Sequence, residues 1–350
     1  FLRTREFLWQ EGHTAHATAK EAEEETTRML EAYRELCEDT LAMPIICGRK
    51  PEHEKFPGAV DTYCVEAMMQ DGKALQAGTS HFLGQNFAKS ANISFVNKNN
   101  QQEYAYTSSW GVSTRLIGGV IMTHADDEGM VVPPKIAPYQ IVIVPVIKND
   151  ADEDAVMEYI KGLQKELLQQ APFGEKIRIK IDKRDRKSVD KFWEWTRKGA
   201  PVILEIGPRD VAEDNVMVKE RLRLGTPEGK AVVKRDEFVR TIAERLEKLQ
   251  KEMFAKARAR LEKNVRTDIK TKKEFEEYFA NSNVWIEEGK AGKVAFVRGK
   301  WSGDPNSEEL LKAMKITIRC IPFDQSGTKG ECLLTGKQDA EIDVIYARSF

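Results

Sequence analysis

The chain has 350 residues, a length typical of two or three domains. Its 55 Lys and Arg against 56 Asp and Glu give a formal net charge of −1, so composition does not indicate general nucleic-acid binding, although a local basic patch would permit it. Five scattered cysteines are typical of a reducing compartment. No apolar run approaches the roughly 18 residues of a membrane helix. The sequence therefore predicts a cytoplasmic protein without a membrane span.

The first hundred residues predict a strand, a helix and several short strands. Residues 1–17 alternate charged and apolar side chains, as a half-buried antiparallel strand does. Thr18 and Glu21 form a capping-box pattern that begins a helix ending near Thr40. Residues 49–58 are polar and predict a loop. Short strands follow at Tyr63–Met69, at Ala74–Gln76 and in a hairpin from Ile93 to Tyr106.

The stretch Ser109–Pro134 contains an apolar run, Leu116–Thr123, directly behind Arg115. The run is a core helix or a core strand, since short apolar segments do not separate the two by period. Gly118 and Gly119 permit close approach of another backbone or side chain. Arg115 is either a solvated flank or a cation placed to recognise a phosphate or a carboxylate.

From Tyr139 onward, strands alternate with helices, which predicts βαβ units and a mixed or parallel sheet. A long helix from about Asp236 to Lys263 carries an apolar stripe that we interpret as a packing face. Arg266–Phe350 predicts a small α+β domain, with strands near Val294–Val297 and Ile316–Ile321. The other predicted elements are strands at 140–147, Ile177–Asp182 and Pro201–Gly207, helices at Asp152–Gln169 and Ser188–Lys198, and a turn at Thr226–Gly229 between Val216–Leu224 and Lys230–Lys234.

Polar clusters near the N-terminus leave alternatives open. Arg3 and Arg5 lie on one face of the predicted strand, so they need either carboxylate partners or an anionic ligand. Gln76–His81 is either a turn with a helix N-cap at Thr79 or Ser80, or a place where a ligand reaches the backbone. A metal site is a weaker alternative for four histidines that lie in the first 124 residues. They are His13, His16, His81 and His124, with Asp126 and Asp127 behind the last.

Lys176–Lys198 holds ten Lys and Arg against four Asp and Glu. Such a run is usually a solvated face, but here Phe192, Trp193 and Trp195 are interleaved with the cations. Unpaired RNA bases are often read by stacking on aromatic rings while cations contact the phosphates. The stretch therefore predicts either a solvated surface or an RNA-binding one.

Four motifs together resemble one family. The pattern W-G-x-x-T-R-x-I-G at Trp110–Gly118 and the following M-x-H-x-D-x-x-G-x-V-x-P-P resemble the third motif of class II aminoacyl-tRNA synthetases, in the form found in prolyl-tRNA synthetases of eukaryotes and archaea. Arg3–His13 is similar to the second half of their second motif, and Gln76–His81 to their Q-x-G-T-S-H element. Lys198–Asp210 resembles their anticodon-binding domain. The likeness covers nearly the whole chain.

The resemblance implies roles for individual residues. Arg3 and Arg115 would be the catalytic cations, and Gln76 would reach Mg²⁺ through ATP. Ser113 stands where the family more often has threonine, which keeps a hydroxyl. The family's four-cysteine zinc site is not expected, because only Cys320 and Cys332 are present in that region. The implied sets are Arg3, Thr4, Gln76, Thr79, Ser113 and Arg115 for ATP, Trp9, Glu11, His13 and His81 for proline, and Glu205 and Arg209 for the anticodon.

The predicted fold class is a multidomain α+β and α/β protein. Its parts are a class II antiparallel-sheet catalytic domain at 1–138, an α/β anticodon-binding domain at 139–235, a connecting helix at 236–264 and a small α+β domain at 265–350. The implied reaction joins proline to tRNA(Pro) with ATP and Mg²⁺ in a cytoplasmic homodimer, without an editing insertion of the bacterial kind. Because the chain begins at Phe1, we expect the N-terminal part of the catalytic domain to be absent from it. The alternative function is a non-catalytic tRNA-binding or regulatory paralogue.

Overall fold

The computed structural model describes residues 2–147, 149–288, 294–304 and 307–350. The strands in these ranges are β1 Trp9–His16, β2 Ile45–Arg49, β3 Asp61–Met68, β4 Ala74–Gly84, β5 Ser94–Val96, β6 Gln102–Tyr104, β7 Tyr106–Ser113, β8 Ile141–Pro145, β9 Ile179–Ile181, β10 Val202–Ile206, β11 Asn215–Glu220, β12 Lys230–Lys234, β13 Val265–Arg266, β14 Phe296–Trp301, β15 Thr317–Pro322 and β16 Ile342–Ala347. The helices are α1 Ala19–Glu35, α2 Asn86–Ser90, α3 Arg115–His124, α4 Glu153–Leu167, α5 Ser188–Arg197, α6 Pro208–Glu213, α7 Arg235–Lys263, α8 Lys272–Glu287 and α9 Glu308–Ala313.

The chain divides into two compact units. Unit 1 contains Phe1–Asp39, Met43–Thr123 and Arg258–Phe350, and unit 2 contains Thr40–Ala42 and His124–Ala257. This division places the predicted C-terminal domain in the same unit as the predicted catalytic domain, because the two share a sheet. None of the helices in the described ranges is long and apolar enough to cross a membrane.

Unit 1 is built on a sheet with the strand order β1-β7-β4-β3-β2-β15-β16-β14-β13. Its pairs are antiparallel except β13 with β14. The strand β15 joins the two halves by pairing Ile321 with Arg49 and Pro322 with Gly48. The C-terminal half has its own apolar core between α8 and the strands, which includes Phe275, Phe279 and Tyr346.

Helix α1 begins as its sequence predicts. The Thr18 hydroxyl accepts a hydrogen bond from the Glu21 N–H, and the Glu21 carboxylate accepts one from the Thr18 N–H. A π-helical turn, Leu36–Thr40, extends α1 to the predicted end. The helix packs on the sheet, where Ser80 of β4 donates to the Thr26 carbonyl at 2.8 Å. One face of β1, β7 and β4 is thereby covered.

The apolar run behind Arg115 forms a helix, α3. A Cβ at Gly119 would lie 2.9 Å from Cδ2 of Leu75 in β4, so this glycine lets the helix approach the sheet closely. The hairpin predicted for Ile93–Tyr106 is also present, as β5 and β6.

Two predictions for the N-terminal half are wrong. Residues 2–8 do not continue the strand, which begins at Trp9. They form a loop held by side chains: Arg115 donates to the Leu2 carbonyl and Thr4 to the Glu6 carbonyl. The turn interpretation of Gln76–His81 also fails, because β4 runs from Ala74 to Gly84 and pairs with both neighbouring strands.

Unit 2 contains a mixed sheet of order β12-β11-β10-β8-β9, as the alternating pattern predicts. The pairs β8–β9 and β8–β10 are parallel, and β11 and β12 run antiparallel to their neighbours. Its core lies between this sheet and the helices α4 and α7. The predicted apolar stripe of the long helix is buried along its whole length, at Phe238, Ile242, Leu246, Leu249, Met253, Ala257 and Leu261.

Candidate active site

Three adjacent strands of unit 1, β1, β7 and β4, present polar side chains in rows on the face opposite α1. Residues paired directly across antiparallel strands project to the same face, so register decides which of them lie together. The rows are His13, Ser109 and His81; Glu11, Gly111 and Thr79; and Trp9 with Ser113. The structure therefore brings the predicted proline-binding residues beside two of the predicted ATP-binding residues.

A β-bulge decides where Gln76 points. Gln76 and Thr79 are three residues apart, which in a regular strand places them on opposite faces. In β4, however, Val65 pairs with Gly78 and Glu66 pairs with Gln76, so Ala77 is an extra residue. The bulge returns Gln76 to the face that carries Thr79 and His81. All three side chains are only partly buried, while Ala77 and Ser80 are buried.

His81 is held as a neutral imidazole. Its Nδ1 lies 3.0 Å from the Thr62 hydroxyl, which also accepts a hydrogen bond from the Phe56 N–H at 3.1 Å. While it accepts from Phe56, the hydroxyl can donate its own proton to Nδ1, and in that arrangement the ring proton is on Nε2. The Phe56 ring covers the imidazole at 4.9 Å between centroids. Burial lowers the pKa of His81 to about 4, so the ring offers an N–H donor at neutral pH.

Glu11 and His13 form a pair on the edge strand. His13 Nε2 lies 2.9 Å from a Glu11 carboxylate oxygen. Beside them, Trp9 packs on Gly111, where a Cβ would lie 3.3 Å from the indole. The indole is 55% exposed and forms the open rim of this surface. An aromatic wall beside a carboxylate suits a small apolar ligand that carries a cationic nitrogen.

Arg115 stands at the start of α3, beside β4. Its guanidinium donates to the carbonyls of Leu2 at 2.9 Å and Gln76 at 3.5 Å. Its backbone N–H donates to the Ser113 hydroxyl at 3.3 Å, which orders the strand-to-helix turn. Burial first, and then the positive charge of Arg3, lower the pKa of Arg115, but the group remains a cation at neutral pH.

Arg3 and Arg115 border a cavity of about 360 Å³ on this surface. Within the described ranges, no carboxylate forms an ion pair with Arg3, Arg5 or Arg115, so the alternative of cross-strand carboxylate partners is not what the structure shows. Two cations without a carboxylate partner beside one cavity suit a phosphate ligand. The cavity is lined by Leu2, Arg3, Thr4, Phe7, Ser113 and Arg115.

The two predicted anticodon residues lie in unit 2. Glu205 of β10 is bound by Lys219 of β11 at 2.7 Å, and Lys219 lies 3.9 Å from the centre of the Phe192 ring. Arg209 of α6 contacts Glu213 of the same helix at 3.1 Å and is 88% exposed. Arg209 is accessible to a large ligand, whereas Glu205 already has a cation partner.

The aromatic part of the RNA-stacking hypothesis needs correction. Phe192 and Trp195 are only 8% and 9% exposed and belong to an apolar core, so they cannot stack on an unpaired base. Their burial is explained by the amphipathic helix α5, which turns them towards β8 and β10. Trp193 alone of the three is substantially exposed.

Several cations of the stretch Lys176–Lys198 are also neutralised. Arg184 binds Asp182, which accepts a further hydrogen bond from the Trp195 indole at 2.8 Å. The bond from Arg184, despite burial, holds the pKa of Asp182 well below its usual range. Glu194 pairs with Arg184, Arg186 and Lys198.

The histidines have other partners than a shared metal. His16 contacts the Thr14 hydroxyl, His81 the Thr62 hydroxyl and His124 the Leu41 carbonyl. In the part of the chain that the structure describes, no group of three His, Cys, Asp or Glu residues is arranged to hold a metal ion.

Comparison with known proteins gives concordant results. Residues 1–124 match the model of the class II tRNA synthetase core domain (G, H, P, S and T), and residues 140–245 match that of the anticodon-binding domain. The proline–tRNA ligase of Protochlamydia amoebophila is 50% identical over all of this chain and 68% of its own length, and that of Bdellovibrio bacteriovorus is 47% identical over the same shares. The chain belongs to the prolyl-tRNA synthetase family.

A solved structure agrees with this assignment. Prolyl-tRNA synthetase from Cryptosporidium parvum, in complex with L-proline and AMP, is 35% identical and matches with a TM-score of 0.87 over all of this chain and 71% of its own. The predicted class II synthetase fold with an anticodon-binding domain is confirmed, and so is the prediction of an aminoacyl-tRNA ligase.

Sequence reasoning missed four neighbours of the predicted site. Ser109 and Gly111 lie in the two central rows of the surface, and Thr62 and Phe56 hold His81 from behind. Gly111 belongs to the matched third motif and Ser109 directly precedes it, so the signal for them is present in the sequence. Phe56 lies in a segment that was interpreted as a polar loop, and nothing local marks it as a neighbour of a residue 25 positions away.

Proposed function

We propose that the protein activates proline with ATP and transfers it to the 3′ end of tRNA(Pro). In the first step the proline carboxylate attacks the α-phosphate of ATP, which forms prolyl-adenylate and releases pyrophosphate. In the second step the prolyl group passes to a terminal tRNA hydroxyl and AMP leaves. The observation that carries the proposal is one sheet face on which an imidazole, a carboxylate and an indole adjoin two guanidinium groups that have no carboxylate partner among the described residues.

We assign ATP binding to the part of this sheet surface that lies next to α3. Arg3 and Arg115 contact phosphate oxygens and stabilise the negative charge that develops on the departing pyrophosphate, an electrostatic task that needs no side-chain nucleophile. Arg115 is oriented for this by two carbonyl contacts. The other proposed ATP contacts are Thr4, Gln76, Thr79 and Ser113.

Mg²⁺ is proposed as the metal that accompanies ATP. The cavity beside Arg3 and Arg115 is lined by no carboxylate among the described residues, which fits an ion bound mainly by substrate phosphates and water. Gln76 is the protein residue assigned to it, and it reaches the ion through the bound ATP. When bound, the ion supplies positive charge to the phosphate oxygens.

Proline binding is assigned to Trp9, Glu11, His13 and His81. In this proposal the Glu11 carboxylate accepts from the ammonium group of the amino acid and the His81 imidazole donates to one of its oxygens, which the pairing of Glu11 with His13 and the contact of His81 with Thr62 support. Trp9 covers the pyrrolidine ring. Because proline is small and apolar, such a pocket discriminates close analogues by only about 10- to 200-fold.

The tRNA is proposed to bind unit 2, with Glu205 and Arg209 at the anticodon. The exposed guanidinium of Arg209 supports a contact with phosphate or base. For Glu205 the proposal requires that its bond with Lys219 is exchanged on binding.

The proposed enzyme is of the eukaryotic and archaeal type, acts as a homodimer and works in the cytoplasm, where its tRNA is used. The type rests on the resemblance of the third motif, since the relatives named above are bacterial and are more similar to this chain than the Cryptosporidium parvum enzyme is. The dimer rests on the resemblance to class II synthetases. The proposed domains remain 1–138, 139–235, 236–264 and 265–350, and the matched ranges 1–124 and 140–245 support the first two.

Proline-dependent ATP–pyrophosphate exchange tests the proposal. We expect exchange with proline, and a fall of about 100- to 1,000-fold in kcat/KM for Arg115→Ala, because the variant loses a charge aimed at the phosphates. Arg28→Ala is the matched control, since Arg28 is exposed on α1 and pairs with Glu25. A folded protein that binds tRNA but exchanges with no amino acid would instead be the non-catalytic paralogue.

A further inference from the structure

A buried cluster of charges lies in unit 1 and has no role in the reaction described so far. Glu66 of β3 is fully buried, and Lys50 and Arg319 around it are 3% and 7% exposed. Lys50 Nζ lies 2.9 Å from one carboxylate oxygen, and Arg319 donates to the other through Nε at 3.1 Å and through a terminal nitrogen at 2.9 Å. Burial opposes ionisation, but the attraction of the two cations holds the pKa of Glu66 below its usual value.

The cluster attaches the C-terminal segment to the N-terminal sheet. Arg319 lies in β15 and is 253 residues from Glu66 in the chain. Lys50 donates to the Arg319 carbonyl at 2.7 Å as well as to Glu66. The backbone pairing between β15 and β2 consists of only two residue pairs. The charged cluster therefore adds side-chain hydrogen bonds to this short backbone pairing.

From Glu66 the contacts lead to the proposed ATP side. Glu66 pairs directly with Gln76 across β3 and β4, next to the bulge at Ala77. The Gln76 carbonyl accepts from the Arg115 guanidinium. The charges of Glu66 and Arg319 also act on Arg115, the carboxylate raising its pKa and the guanidinium lowering it. Arg319 is thus connected to Arg115 through the Glu66 carboxylate and then through Gln76, the residue paired with Glu66 on β4.

A buried ion cluster is weak evidence for a contribution to stability, because desolvation offsets most of the attraction between the charges. Its directional hydrogen bonds nevertheless specify one arrangement of the strands that carry it. Here the arrangement includes a bulge, which must be held if Gln76 is to stay on the same face as Thr79.

We propose that Arg319, acting through Glu66, is a positioning residue for the ATP-binding side of the site, so that the C-terminal segment sets the placement of Gln76 and Arg115. The inference rests on the proposed function, since it takes Gln76 and Arg115 to contact ATP. Arg319 itself touches no substrate. Its loss is expected to affect ATP and to leave proline largely unaffected, because three of the four residues assigned to proline lie on β1, which β7 separates from β4.

The test compares Arg319→Gln, Arg319→Lys and Arg348→Gln in the full-length protein by ATP–pyrophosphate exchange with ATP and proline varied separately. Arg348 is the matched control, because it is equally buried in the same segment but binds Ser282 and the Phe279 carbonyl instead of Glu66. For Arg319→Gln we expect the KM for ATP to rise about tenfold, with the KM for proline within twofold of the wild type. Arg319→Lys keeps the charge but offers a single donor nitrogen in place of the two that bind Glu66, so a smaller rise is expected.

Three outcomes would overturn the proposal: an unchanged KM for ATP, an equal rise in both KM values, or the same change in Arg348→Gln. If Arg319→Gln does not fold, Arg319→Lys is the variant that tests the proposal. An unchanged KM for ATP in Arg319→Lys would then overturn it. Failure of the proposed function would be distinct from all of these, because the wild-type protein would then show no proline-dependent exchange.

Discussion

Thr62 illustrates how a single hydroxyl sets the chemistry of a neighbouring residue. It receives a hydrogen bond from the Phe56 N–H and lies 3.0 Å from Nδ1 of His81, and when it donates to Nδ1 the imidazole carries its proton on Nε2. Because Thr62 itself is buried, its hydroxyl has no water to replace the ring. The donor that His81 offers to proline in the proposed function thus depends on a residue that proline does not touch.

We expect Thr62→Val to raise the KM for proline about tenfold, because either ring nitrogen can then carry the proton and the Nδ1 acceptor loses its partner. Thr62→Ser retains the hydroxyl and should stay close to the wild type. Proline-dependent exchange measures both variants, with the KM for ATP as the internal control. Equal KM values for proline in the valine and serine variants would contradict the tautomer assignment.

The pH dependence of the same residue follows from its low pKa. The folded-state value for His81 is about 4, below its ordinary value, so the ring is uncharged throughout pH 5.5–8. Proline binding should therefore show no inflection near pH 6.5 that is due to His81. An inflection there that disappears in His81→Gln would show that the ring titrates normally and is not buried as described.

At the scale of elements, β1 is the strand on which the proposed proline side depends. It lies at the sheet edge and pairs only with β7 among the described strands, yet it carries Trp9, Glu11 and His13. Gly12 allows this pairing to be close, since a Cβ there would lie 2.3 Å from the buried ring of Trp110. A branched side chain at this position must displace the indole or the strand.

Gly12→Val is accordingly expected to lower the free energy of unfolding by about 1–3 kcal/mol and to raise the KM for proline. Ala15→Val is the matched control, because Ala15 is an exposed residue of the same strand. Thermal unfolding followed by circular dichroism gives the stability, and exchange kinetics give the KM. If Gly12→Val and Ala15→Val change the free energy of unfolding and the KM for proline equally, close packing of β1 on Trp110 is not what keeps β1 in place.

At the scale of the whole molecule, the two compact units correspond to two proposed tasks. Residues assigned to ATP and proline all lie in unit 1, whereas Glu205 and Arg209 lie in unit 2. Amino-acid activation needs only the first group, since tRNA enters the reaction after the adenylate has formed. Substitutions in the two units should therefore separate the two half-reactions.

We expect Arg209→Ala to raise the KM for tRNA about tenfold in aminoacylation, while exchange without tRNA changes less than twofold. Lys234→Ala, also in unit 2 but on β12, serves as the control for loss of a positive charge. A parallel loss of exchange and aminoacylation in Arg209→Ala would argue against a separate tRNA contact at this residue.

Patterns with a local physical cause were readable in the sequence alone. The capping box at Thr18, the buried stripe of α7, the hairpin of β5 and β6 and the alternation of strands and helices in unit 2 each depend on neighbouring residues, and each is present as predicted. The family could also be identified, because its motifs are short runs of consecutive residues.

Tertiary structure alone decided the arrangement of the site. The rows of His13, Ser109 and His81 exist because of strand register, and Gln76 faces Thr79 only because of a bulge at Ala77. Residues 2–8 leave the strand because Arg115, more than a hundred positions away, binds the Leu2 carbonyl. The C-terminal segment joins the sheet by the pairing of β15 with β2, beside which Arg319 binds Glu66, and no local pattern connects these residues. Register, bulges and distant ion pairs depend on contacts between remote residues, and the order of residues along the chain carries no direct sign of them.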